Sequence, residues 1–175
     1  MSTLKVNQLQ DTSGNVLPFG VTMQDTWVVT TNATVNGAAD ITSNWAKQSD
    51  NSDSQTGNIG TGMTESSGVF TFPSTGIYLI ESVLTVKCNG GRTYMGWRHP
   101  VSVNGGSNYD NVATSYGNGY MNTAYVNVYL SHLLDVTSTS NVKMKFSHNF
   151  SDTGVIIGDG RDKHTGVTFT RLGDT

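Results

Sequence analysis

Two stretches of this chain alternate apolar and polar residues with a period of two. In residues 122–134 the even positions Ala124, Val126, Val128, Leu130 and Leu134 are apolar, and in 141–150 so are Val142, Met144, Phe146 and Phe150. A strand points successive side chains to opposite faces, so each stretch reads as a strand with one face buried. No segment carries a convincing 3.6-residue period. Gly, Ser, Thr and Asn supply 78 of the 175 residues, and only 13% are charged. That composition favours strands and turns over helices, and the clear apolar strands argue against disorder throughout.

Other short strands are expected around 26–30, 41–47 (with Trp45), 68–73, 77–87, 92–103, 155–157 and 165–172. A polar loop is expected over 49–62, and a Gly-rich connection near Gly117-Asn118-Gly119. Pro73-Ser74-Thr75-Gly76 reads as a turn, because Pro presets φ and Gly permits positive φ. The sum is eight to ten antiparallel strands in an all-β sandwich or jelly roll. Its expected core comprises Phe70, Phe72, Tyr78, Ile80, Leu84, Val126, Val128, Leu130, Met144 and Phe146. Residues 1–20 read as a separate arm, with Leu4, Val6 and Leu9 alternating with polar residues before a turn cluster. Three such side chains cannot build a core, so the arm is expected to dock on a partner chain.

A net charge of −3 argues against a general nucleic-acid binder. No apolar run is long enough for a membrane span or a signal-peptide core. The lone Cys88 excludes an internal disulfide and suits synthesis in a reducing cytoplasm. Four histidines invite an enzymatic reading, yet no nucleophile elbow, zinc-binding helix or Cys–His motif accompanies them. His132 and His148 fall on the apolar faces of their strands and read as core or interface histidines. His99 precedes Pro100, and His164 sits near Asp162. Asp50-Asn51-Ser52-Asp53-Ser54 offers oxygen ligands for Ca²⁺ without the EF-hand spacing, and a solvated loop is the favoured reading. No cofactor or catalytic residue is expected.

Tyr125 and Tyr129 occupy the odd face of a strand whose even face is already apolar. A sandwich strand needs one buried face, so these two point to a second covered face at a subunit interface. Trp27, Trp45 and Trp97 offer a stacking platform for a sugar, the reading of the chain as a carbohydrate-binding module or adhesin.

Three pieces together resemble the globular domain shared by complement C1q and the tumour necrosis factor superfamily. The first is Gly68-Val69-Phe70-Thr71-Phe72-Pro73-Ser74-Thr75-Gly76-Ile77-Tyr78-Leu79-Ile80, similar to that family's strand–turn–strand centre. The second is the strand–turn–strand run over 125–150, turning at Leu134-Asp135-Val136. The third is the terminal Gly166-Val167-Thr168-Phe169-Thr170-Arg171-Leu172. The resemblance spans residues 22–175 and implies a jelly roll that assembles as a homotrimer. The opening Ser2-Thr3-Leu4-Lys5-Val6-Asn7-Gln8-Leu9-Gln10-Asp11-Thr12-Ser13-Gly14-Asn15 is similar to the starts of structural proteins of marine tailed bacteriophages. Together these resemblances imply a trimeric virion protein, either a tail fibre or appendage module or a head fibre or decoration protein. It would be attached to other virion proteins through residues 1–20 and free to touch host-surface glycan.

Overall fold

The computed structural model describes residue 12 and residues 20–48, 58–89, 93–160 and 162–175. Twelve strands run through them: β1 (Met23–Val29), β2 (Ala33–Asp40), β3 (Trp45–Lys47), β4 (Thr64–Ser66), β5 (Val69–Thr71) and β6 (Gly76–Cys88) in the first half. The second half holds β7 (Thr93–Ser102), β8 (Asp110–Gly119), β9 (Tyr125–Val136), β10 (Lys143–Met144), β11 (Ser147–Ile156) and β12 (Gly166–Gly173). No helix occurs among the described residues. Leu4, Val6 and Leu9 of the arm, and the Asp50–Ser54 cluster, lie outside them.

Every pairing is antiparallel. One layer reads β3-β1-β12-β6-β9 and the other β2-β11-β7-β8, with β10, β5 and β4 continuing from the end of β7. A register shift between Phe150 and Gly154 lets the end of β11 pair with β6 as well as β2, which ties the two layers together. Gly154 suits that crossing, since a Cβ there would lie 3.0 Å from Val86 and 3.2 Å from the Phe150 ring. β4 and β5 form a two-residue hairpin in which Ser67 and Gly68 both take positive φ (51° and 81°). This is the backbone whose twist matches the flanking strands. Gly76, at φ 138°, closes the Pro73 turn where a Cβ would meet the Gly173 carbonyl at 2.4 Å.

The expected register of the two alternating stretches holds. Val128, Val142, Met144, Phe146 and Phe150 are buried, while Val126, Leu130 and Leu134 pack half-buried against the same core. Eight of the ten expected core residues are fully buried and the other two are Val126 and Leu130. Phe70 and Phe146 meet edge-on (5.3 Å), and Trp97 stacks on Phe146 (5.6 Å, 19° between planes).

Five expectations need correction. β2 and β4 were not anticipated, and Gly117-Asn118-Gly119 belongs to strand β8 instead of a connection. The segment 41–47 shrinks to the three residues of β3. The run 141–150 is two strands, and its second continues to Ile156. Trp27, Trp45 and Trp97 are core residues with exposures of 8%, 8% and 0%. Each takes inward parity on its strand, so none offers a ring face to a sugar. Their indole N–H groups are also spent inside, on Asp25 Oδ2 (2.9 Å), the Ile41 carbonyl (3.0 Å) and Ser82 Oγ (2.7 Å).

Candidate functional site

The outward face of the β6–β9 pair carries the two tyrosines expected at a second covered face, Tyr125 and Tyr129. The register sets Lys87 beside Tyr125, Thr85 beside Asn127, Val83 beside Tyr129 and Glu81 beside Ser131. Strand alternation puts this set on the face opposite the core. Tyr125 is 65% exposed and Tyr129 68%, and Leu133 four residues further is exposed as well. Thus the odd face of β9 carries three large side chains at every fourth residue, with Asn127 and Ser131 between them, as its even face packs inward. A groove of about 630 Å³ runs along this face, walled by Glu81, Thr85, Tyr125, Tyr129, Lys163 and His164. Lys163 donates to Thr168 Oγ1 (2.7 Å). Burial lowers its ammonium pKa, partly offset by the Glu81 carboxylate. Beside the groove, Asp159, Asp162 and His164 bring three potential ligand atoms within 4.8 Å of one another.

Behind this face lies a polar chain in the core. Trp97 Nε1–H donates to Ser82 Oγ (2.7 Å), and Ser82 Oγ–H donates to the Leu130 carbonyl (3.2 Å). Ser82 Oγ shares a 2.6 Å bond with His99 Nε2, and His99 Nδ1 lies 3.1 Å from His132 Nδ1. One tautomer set satisfies all four contacts: His99 Nε2–H donates to Ser82, and His132 Nδ1–H donates to His99. His132 Nε2 is then a bare, buried acceptor, and it has no partner. Burial holds the His99 pKa well below 6.5, with the neighbouring His132 adding to the effect, and burial lowers His132 too. The order hydroxyl, imidazole, third group is that of a nucleophile, a base and an orienting group, but in this tautomer set His99 Nε2 already carries the proton that a base would take. Ser82 and His99 are also buried, at 5% and 0% exposure.

His132 and His148 are therefore inward-facing, as expected, but they are not partners. His148 Nδ1 bonds the Gly37 carbonyl (3.2 Å), and His132 meets His99. His99, placed in the sequence only by its neighbour Pro100, is buried in the core. Its parity with Trp97 and Val101 was the available signal. Asp25 was missed as well. Its Oδ2 accepts from Trp27 Nε1, the Met63 amide (2.7 Å) and Lys47 (3.2 Å), while Oδ1 has no partner. The thiol of Cys88 is buried, and burial raises its pKa.

No protein-family model matches the chain, and no curated protein does. Solved structures do. Murine APRIL at pH 8.5 is 14% identical with a TM-score of 0.58, covering 86% of this chain and 98% of that one. Eiger TNF from S. frugiperda is 10% identical with a TM-score of 0.65, covering 89% and 96% respectively. At such identities the likeness speaks for the fold alone, and the chain folds as a jelly roll of the tumour necrosis factor type.

Proposed function

We propose that this chain is a structural protein of a bacteriophage virion, a homotrimeric jelly-roll knob that docks on the particle through residues 1–20. The observation that carries the trimer is the doubly apolar strand β9. Val128 is buried on one side, while Tyr125 and Tyr129 stand exposed on the other. Large aromatic side chains four residues apart on one face of a strand, flanking a groove, are a surface that identical neighbours cover around an axis. The virion half of the reading rests on the likeness of Ser2–Asn15 to the openings of phage structural proteins. In this reading the role of the knob is attachment. Tail fibre or appendage and head fibre or decoration are the two locations that suit it.

The test is co-purification with intact virions, with labelled antibody marking the site. Deleting residues 1–19 should leave a folded trimer that no longer joins particles. Incorporation of the truncated chain at full occupancy would place attachment on the jelly roll itself.

A further inference from the structure

On the opposite layer, the outward residues of β7 are Tyr94, Gly96 and Arg98. The register sets Gly96 beside Tyr116 of β8, and Arg98 between Thr114 of β8 and Ser147 of β11. A Cβ at Gly96 would lie 2.8 Å from Tyr116 Cε1, so the tyrosine ring lies across the bare glycine backbone. Its other side faces solvent, the residue being 59% exposed. Tyr94 stands against it at a steep angle (5.8 Å between centroids, 68°). The pair forms a flat apolar plate with one raised edge, and Asn118 lines the same hollow.

Two residues along the strand, about 7 Å on the same face, Arg98 lines a second hollow of about 260 Å³ with Asp40, Tyr109, Asn111 and Ser147. Arg98 is half-buried, and its guanidinium has no hydrogen-bond or ion-pair partner among the described residues. The nearby carboxylate is already engaged: Lys145 Nζ holds Asp40 Oδ2 at 3.2 Å and also lies 4.1 Å over the Tyr109 ring. A partly desolvated guanidinium without an anion presents a planar fork of donors matched to a carboxylate. The side-chain amides of Asn111 and Asn118 offer donors and acceptors for hydroxyl groups.

From this juxtaposition we propose that the β7–β8 face binds an acidic sugar, its ring face on Tyr116 and its carboxylate on Arg98. A pyranose has a face of C–H bonds, a rim of hydroxyls and, in uronic and sialic acids, one carboxylate at the ring's edge. Those are the three chemistries this face lays out within the span of one or two sugar rings. The site lies on the layer opposite β9, so a trimer joined through β9 keeps three copies open. Several weak sites on one knob then act together through effective concentration. This inference deepens the host-contact part of the proposed function.

The test is binding of the full chain to an array of sialylated and uronate oligosaccharides, each beside its carboxyl-reduced counterpart. At least one acidic member should be retained, and carboxyl reduction should weaken it about tenfold or more, as loss of a charged hydrogen-bonding partner does. Arg98→Gln should bring a similar loss with an unchanged melting temperature, since its guanidinium holds no partner among the described residues. Tyr116→Ala should weaken acidic and reduced sugars alike. Absence of any retained acidic sugar overturns the proposal. So does equal binding of the reduced counterpart, or unchanged binding by Arg98→Gln. Glycan binding is read on free protein, so its failure leaves the virion reading standing, and failure to join virions leaves the sugar site standing.

Discussion

Ser82 Oγ and His99 Nε2 lie 2.6 Å apart in the middle of the sandwich, the central link of a chain from the Trp97 indole to His132. Both histidines are favoured in the neutral form, because burial penalises the imidazolium. Their folded pKa values therefore lie below the ordinary 6.5, and the unfolded chain binds the extra protons first. The stability this contributes is complete above about pH 6.5 and is lost as pH falls toward the depressed folded values. His148 acts in the same direction: burial lowers its pKa, against smaller opposing effects of the Gly37 carbonyl and Asp40. Melting temperature should be flat just above neutrality and fall as pH drops below about 6.5. His132→Gln should make that fall shallower. Equal acid sensitivity in the variant would show that the pair does not govern this range.

Phe146 joins the two layers. It is fully buried, stacks on Trp97 and meets Phe70 edge-on. Phe146→Ala should cost about 3–5 kcal/mol by denaturant unfolding, through lost transfer energy and the cavity left behind. A loss below about 1 kcal/mol would mean that the site collapses freely, which the surrounding aromatic rings do not allow.

Asp25 is a second pressure point. Its carboxylate is buried and accepts three donors on one oxygen, from Trp27, Met63 and Lys47. Asp25→Ala leaves the first two donors buried without an acceptor. The expected cost is about 3–5 kcal/mol, because one partner of a buried network is removed and the rest stays. Lys47→Ala removes only a half-exposed cation and should cost about 1 kcal/mol or less.

Much of this was legible in the alternation of apolar residues. Val126, Val128 and Leu130 on β9, and Met144 and Phe146 beyond it, set the inward faces correctly because a one-residue slip would expose them all. β2 carries Val35 as its only large apolar side chain, so nothing in Ala33–Asp40 rises above loop composition, and its place depends on pairing with β11. β8 was obscured by its glycines. Gly117 and Gly119 face inward, where a Cβ would meet Val128 at 2.7 Å and the Cys88 sulfur at 2.2 Å. They look like turn residues, yet they let β8 come close to its neighbours. The tryptophans erred the other way: their chemistry suggested a sugar platform, while their strand parity put them in the core. Tyr116 and Tyr94, the pair that does form an exposed plate, lie on different strands and meet only through the register, with Tyr116 lying over Gly96.

Tyr125 and Tyr129 bear most directly on the account. Changing both to Ser should weaken self-association while leaving the sheets formed, since neither side chain contributes to the monomer's core. The decisive measurement is the mass of the full chain in solution at about micromolar concentration, by light scattering across a size-exclusion peak. The account predicts three times the chain's mass, falling toward one when Tyr125 and Tyr129 are both Ser. A monomer for the unaltered chain, with no virion present, would contradict it.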